Sequence, residues 1–264
     1  MITSRSNPTV KWIRSLRNRR ERTESGMLFA EGIRLLGEAY EAGMTFAQLV
    51  GTADRIRSPF AKDLVQKLID KGVPYLEVSD DVYESLTDSE GRQGLCAVIQ
   101  QRWTPLDEVE PEAGRVWVAM NSIQYPGNLG TIMRTMEAVA GAGIILLGPT
   151  TDPYDPAAVR ASTGACFSLK LVRTDLGAFA RWKHRWNVNL VAADVGASAS
   201  YREVTYRQPT ILLMGAERDG LTAEQKALCD TLIGIPMVGR SDSLNVAVAA
   251  SVVLYEIFYQ STRH

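Results

Sequence analysis

At 264 residues, with 45% hydrophobic side chains and a net charge of −1, the chain can bury one large or two modest cores and reads as globular. Its apolar stretches, such as Ala247–Phe258, fall short of the roughly 18 apolar residues a bilayer span wants, and MITSRSNPTVKW lacks a secretory h-region, so a cytoplasmic location without a membrane partner is expected. Three scattered cysteines (Cys96, Cys166, Cys229) without a CxxC pair, and only His184 and His264, argue against a disulfide framework and a zinc knuckle. They leave little room for a histidine base or a multi-histidine site, so no metal is expected.

Residues 1–22 carry seven Lys and Arg against Glu21 alone. Arg5, Lys11, Arg14, Arg17, Arg19 and Arg20 are therefore candidate RNA-phosphate contacts, since guanidinium groups match phosphate geometry. Val10, Ile13 and Leu16 recur at helical spacing, so a solvated amphipathic helix fits equally well. Next come a helix over Phe29–Ala42, a strand over Phe46–Gly51 and a helix over Pro59–Gly72. Strands over Val73–Val78 and Leu95–Gln100 flank a helix over Asp80–Leu86. WTPLDEVEPEAG (103–114) loses periodicity and gathers prolines and acids, as linkers do, so domains are drawn at 1–102 and 115–264.

The second part opens with a strand over Arg115–Met120, a helix over Gly130–Ala140 and a strand over Gly143–Leu147. Val159–Gly164 opens a further unit, Asn189–Ala193 and Thr210–Met214 are strands, and a helix from about Leu244 to Tyr259 closes the chain. Its apolar face, Val248, Val252, Tyr255 and Tyr259, suits an interface or, more simply, the core. Alternation of strands and helices predicts an α/β fold with a mostly parallel sheet covered on both faces. Ligands of such sheets bind beyond the carboxyl ends of the strands.

GxGxxG, GxxxxGK[ST] and GxSxG are all missing; Gly141-Ala142-Gly143 precedes a strand and reads as a helix-ending turn. Three other segments lie beyond strand ends. In NLGTIMR, Asn128 is placed to cap a helix that carries Arg134, which suits an anion. GAERDGLT (215–222) is a glycine-bearing loop that lets backbone approach a ligand, or a polar turn capped by Thr222. IPMVGRSDSLNVAV (235–248) leads into the last helix, with Asp242 and Ser243 as candidate caps and Asn245 as a partner for a loop carbonyl.

Taken together, these segments resemble the SpoU (TrmH) family of RNA ribose 2′-O-methyltransferases in the SPOUT superfamily. Asn128 and Arg134 sit at the family's first-motif spacing, Gly215, Glu217 and Gly220 match the second, and Ile235-Pro236-Met237 with Ser243-Leu244-Asn245 the third. DPYDPAAVRASTGA (152–165) is similar to the connecting segment, and FAEGIRLLGEAYEAG to part of an L30e-like substrate-binding domain. The resemblance implies a parallel-sheet SPOUT domain with a deep trefoil knot, preceded by a smaller α/β L30e-like domain. It implies methyl transfer from S-adenosylmethionine to a ribose 2′-hydroxyl of RNA, and a homodimer built through the knotted domain. Arg134 matches the catalytic arginine, and Asn128, Glu217, Ser243 and Asn245 the supporting polar positions. Met214, Gly215, Ile235, Met237, Leu244 and Asn245 are the implied cofactor contacts. Tyr125 stands where the family often has Asp, and Ala247 where it often has Ser. The separate N-terminal domain favours ribosomal over transfer RNA, and the alternatives are a transfer-RNA 2′-O-methyltransferase or a non-catalytic RNA-binding or ribosome-assembly protein of the same fold.

Overall fold

Residues 1–87 and 93–262 are described by a computed structural model and fall into two compact units, Met1–Arg102 with Tyr154–Arg160, and Trp103–Pro153 with Ala161–His264. Residues 88–92 and 263–264, His264 among them, lie outside the described residues.

The first unit begins with α1 (Pro8–Ser15) and α2 (Arg19–Ser25), then β1 (Met27–Glu31), α3 (Ile33–Glu41), β2 (Phe46–Gly51), α4 (Pro59–Asp70), β3 (Tyr75–Glu77), α5 (Asp80–Leu86) and β4 (Leu95–Gln100). Asn7 caps α1, its Oδ1 accepting from Thr9 N at 2.9 Å, with Pro8 supplying the preset φ of a first helical position. Val10, Ile13 and Leu16 are fully buried against Phe29, Val82, Tyr83 and Val98, so the apolar spacing read from the sequence is a core stripe. The sheet order is β1-β4-β2-β3; β4 pairs antiparallel with β1 and β2, and β3 runs parallel to β2.

The helix expected over Phe29–Ala42 is divided. Met27–Glu31 is a strand, Gly32 takes φ 106°, and the helix starts at Ile33. That φ is open to glycine and strained for other residues, so a continuous amphipathic pattern conceals a break.

Several N-terminal cations are held within the unit. Arg22 is buried, and its guanidinium donates to Leu16 O, Arg17 O and Asp155 Oδ2 at 3.0, 2.7 and 3.1 Å. A buried charge is tolerated only with such partners. Asp155 lies in Tyr154–Arg160, which groups with this unit; there the Tyr154 hydroxyl accepts from Arg102 N at 3.0 Å and donates to Arg102 O at 2.6 Å.

The second unit contains β5 (Trp117–Asn121), α6 (Pro126–Ala138), β6 (Gly143–Leu147), α7 (Pro156–Ser162, from Ala161 on), α8 (Ala165–Ser168), β7 (Lys170–Thr174), α9 (Leu176–Trp186), β8 (Asn189–Ala193), β9 (Thr210–Met214), α10 (Ala223–Leu228), β10 (Thr231–Ile233) and α11 (Val246–Ser261). All six strands are parallel, in the order β10-β8-β9-β5-β6-β7. Near-continuous apolar runs such as Gly143–Leu147 and Thr210–Met214 are buried throughout, as expected of parallel strands covered on both faces. β7, α9 and β10 went unread in the sequence.

The stretch expected as a linker at 103–114 packs onto this unit. Thr104 N donates to Leu171 O at 2.8 Å, Trp103 lies under the Arg173 guanidinium, and Val109 is buried with its carbonyl accepting from Trp182 Nε1 at 3.0 Å. Prolines and acids at its surface masked the two apolar anchors, Leu106 and Val109.

Candidate active site

The loops after β8, β9 and β10, at the carboxyl ends of adjacent parallel strands, enclose a cleft of about 880 Å³. Its walls come from residues 193–200, 214–221 and 233–237, closed by Asp242, Ser243, Leu244, Lys226 and the first turns of α11. That volume falls within the range of sites that hold a nucleoside-sized ligand.

Of the expected cofactor contacts, Met214, Gly215, Ile235, Met237 and Leu244 line this cleft, together with Glu217 and Ser243. A Cβ on Gly215 would overlap the Gly220 carbonyl and come within 2.7 Å of Leu221 N, so only glycine fits the tight 215–221 turn. Ala216 and Gly220 close that turn with reciprocal backbone hydrogen bonds of 2.8 and 3.0 Å. The turn then runs into α10, where Thr222 and Gln225 form a capping box.

Asn245, Asn128 and Arg134 do not line the cleft. Asn245 is the N-cap of α11, a role the sequence reading gave to Asp242 and Ser243; its Oδ1 accepts from Ala247 N at 2.9 Å and Val248 N at 3.4 Å. Its Nδ2 therefore faces Asn128 Oδ1, at 3.1 Å, which turns Asn128 Nδ2 toward Glu217 Oε1 at 2.6 Å. Each amide orientation follows from the one before it, so three residues from three separate segments form one directed chain of hydrogen bonds.

Asn128 is not the cap of α6. The helix begins at Pro126 with Tyr125 as N-cap, because proline is well placed at a first helical position, and Asn128 projects from the first turn. The anion at this helix start is the Glu217 carboxylate, whose Oε1 also accepts from Tyr125 N at 3.4 Å. Glu217 Oε2 is buried and takes no hydrogen bond among the described residues. Arg134 stands two turns further on, roughly 12 Å along the axis, exposed and without a side-chain partner among the described residues. Ser243 is exposed on the cleft rim.

Asp194 and Lys226 were missed. Asp194 directly follows β8, its Oδ1 accepts from Gly196 N at 2.8 Å, and its Oδ2 pairs with Lys226 Nζ at 2.6 Å. The Lys226 ammonium holds the Asp194 carboxyl below the usual carboxylate range. The only signal was the small-residue run GASAS after an apolar strand, which marks a close turn and no particular chemistry.

The thiols offer no nucleophile. Burial pushes Cys166 up to about 12 and Cys229 to about 11, and raises Cys96 well above its ordinary value. No group of three or more His, Cys, Asp and Glu able to hold a metal occurs among the described residues. No helix among them is long and apolar enough to cross a membrane.

The candidate RNA-contacting cations divide into two sets. Arg14 donates to Ser85 Oγ at 2.7 Å, Arg17 to Leu86 O at 3.0 Å, Arg5 to Asp81 through two hydrogen bonds, and Arg20 to Glu24 at 2.7 Å. Lys11 and Arg19 are exposed and have no side-chain partner among the described residues.

Residues 115–255 match the SpoU rRNA Methylase family and residues 7–97 the MRM3-like substrate binding domain. A Streptomyces viridochromogenes protein named as a 23S rRNA (uridine(2479)-2′-O)-methyltransferase is 32% identical over 266 residues, covering 98% of this chain and 92% of the relative. The Bacillus subtilis 23S rRNA (guanosine(2553)-2′-O)-methyltransferase RlmP is 27% identical, covering 97% of this chain and 98% of its own. Among solved structures, the AdoMet-bound rRNA methyltransferase from Sinorhizobium meliloti superposes with a TM-score of 0.90 at 36% identity, covering 97% of this chain and 96% of that one.

Proposed function

We propose, because the chain belongs to the SpoU rRNA Methylase family, that it is an RNA methyltransferase acting on a ribose 2′-hydroxyl of ribosomal RNA with S-adenosylmethionine as methyl donor. The observation that carries this is the cleft at the carboxyl ends of β8, β9 and β10 with the Asn245–Asn128–Glu217 chain beside it. The cofactor fits on three counts: the cleft volume, the apolar rim of Ile235, Met237 and Leu244, and the Gly215 turn that brings backbone close. Bound there, it would supply an activated methyl group on a sulfonium, leaving alignment and proton removal to the protein.

Arg134 is assigned to the acceptor. Its guanidinium has donors and no acceptor, so it polarises the 2′-hydroxyl and fixes a neighbouring phosphate. The proton then leaves to phosphate, to water or to a transiently neutral guanidine. Asn128 and Asn245 act as positioning residues that hold Glu217, and Ser243 contributes from the rim.

A homodimer is part of the same reading. On α11, Ala247, Ala250, Val253, Leu254 and Ile257 are buried, whereas Val248, Tyr255 and Tyr259 are about half exposed. The face read most simply as core thus lies outward, where a second copy would cover it. Thr135, next to Arg134 on α6, bonds Ser251 of α11 at 2.8 Å. A trefoil knot at this end of the sheet also belongs to the proposal, supported by the meeting of the segments after β9 and β10 in one cleft. A cytoplasmic location belongs to the same reading, supported by the relatives named as 23S rRNA methyltransferases.

The test is methylation of in-vitro-transcribed 23S rRNA and transfer RNA with labelled S-adenosylmethionine, followed by mass spectrometry of the nucleosides. A 2′-O-methylated nucleoside from 23S rRNA is expected. Base methylation alone would sink the assignment, modification of transfer RNA alone would move it to the other substrate, and no incorporation would favour a non-catalytic RNA-binding role.

A further inference from the structure

Tyr125 is the exposed aromatic residue at the polar chain. Its side chain is 56% exposed, and its hydroxyl takes no hydrogen bond among the described residues. Its backbone, by contrast, is fixed on both sides. Tyr125 N donates to Glu217 Oε1 at 3.4 Å, and Tyr125 O accepts from Asn128 N at 3.1 Å and Leu129 N at 3.3 Å. Pro126 follows, which restricts the preceding residue to extended φ/ψ, and Tyr125 is found at −92°, 118°. The result is a large flat ring, open to solvent, on a stem with little freedom.

The ring lies outside the buried cluster of this unit. A second observation at the same place points to a ligand. The carboxylate that holds the Tyr125 stem has its other oxygen, Glu217 Oε2, buried and without a donor among the described residues. A buried acceptor of this kind is costly unless something supplies a hydrogen bond. A nucleotide provides a π-face for the ring, beside a carboxylate that also lines the cleft.

We infer that Tyr125 is a stacking platform for a nucleobase of the RNA, at the target nucleotide or its neighbour, and so helps to set which RNA is bound. The inference rests on the RNA-methylation reading for the identity of the ligand. An aromatic face accepts any base, so Tyr125 demands an unstacked base and reads no sequence. The favoured acceptor is then a nucleotide in a loop, bulge or other single-stranded element, because only there is a base face free.

The experiment measures binding rather than methylation, so the two readings can fail separately. Full-length protein with S-adenosylhomocysteine is titrated with a fluorescein-labelled single-stranded RNA dodecamer, and separately with one carrying central 2-aminopurine. Replacing the ring in Tyr125→Ala should weaken dodecamer binding about 5- to 150-fold, the range of one base–aromatic stack, and abolish the 2-aminopurine quenching expected of the wild type. Tyr125→Phe and Tyr125→Trp should stay within about twofold of the wild type, because stacking needs the ring and not the hydroxyl. Equal affinity of wild type and Tyr125→Ala, including no binding by either, overturns the proposal. So does a Phe variant as weak as Ala, which would assign the effect to the hydroxyl. Calorimetry with S-adenosylhomocysteine shows whether the Ala variant is intact. An altered cofactor affinity there would reassign Tyr125 to the scaffold of the site and also overturn the proposal. Ribose methylation of 23S rRNA by the wild type judges the parent reading independently.

Discussion

Asn245 donates to Asn128 across 117 residues of sequence, and it does so with the amide nitrogen left over after its oxygen has capped α11. One side chain thus starts a helix and orients the Asn128 amide, and the two tasks use different atoms. Asn245→Asp keeps the capping oxygen and loses the donor, whereas Asn245→Ala loses both. The Ala variant should lose about 1 kcal/mol of cap stability, or roughly 2–4 °C in Tm for a chain of this size. The Asp variant should melt near the wild type. Methyl transfer should fall in both, and a fully active Asp variant would show that the contact with Asn128 is dispensable.

Arg134 stands apart from the cleft lining. Under the role proposed for it, on the acceptor and not the donor, Arg134→Ala should abolish transfer while S-adenosylhomocysteine binds within about twofold of the wild type. Calorimetry beside a single-turnover assay checks this. Near-normal turnover would refute the role given to Arg134.

Asp194→Asn tests the Asp194–Lys226 pair through pH. Lys226 lowers the Asp194 pKa on folding, so the pair's contribution is present above the unfolded carboxylate value and is lost as pH falls through the lower, folded one. Urea unfolding of wild type and variant should show a constant gap from pH 7 to about pH 5, narrowing below about pH 4. A gap that widens on acidification would contradict the assignment. Because Asn keeps the acceptor for Gly196 N, the comparison isolates the charge.

The N-terminal cations should separate by salt dependence. Lys11→Ala and Arg19→Ala should each weaken RNA binding and reduce the slope of log K against log salt by about one. Arg14→Ala and Arg17→Ala remove intramolecular hydrogen bonds to Ser85 and Leu86, so their main effect should be on Tm. Equal slopes for all four variants would remove the distinction.

Much of the architecture was legible because buried parallel strands announce themselves. Gly143–Leu147, Asn189–Ala193 and Thr210–Met214 are apolar runs bounded by polar turns, and each is a strand with the same bounds. Lys170–Thr174 escaped because, as the edge strand beside β6, it carries a charged residue at each exposed position. Met27–Glu31 escaped because the glycine that ends it is also tolerated in a helical pattern. In the site, segment-level motifs located the residues and could not relate them. Nothing within NLGTIMR or SLNVAV says that Asn128 and Asn245 are partners, since that contact exists only after β5, β9 and β10 have assembled. The Asp194–Lys226 pair lay outside every motif.

The cleft walls come from residues 193–200, 214–221, and 233–237 with 242–244, three stretches that arrive in separate turns of the chain and meet only in the folded state. Whatever fills the space between them acts as a removable cross-link, absent from the unfolded chain. Occupancy therefore counts as fold stability: a ligand at 100 times its Kd adds about 2.7 kcal/mol. A cell short of methyl donor would then hold a protein that is idle and also easier to unfold, coupling the protein's lifetime to the supply of its own reactant.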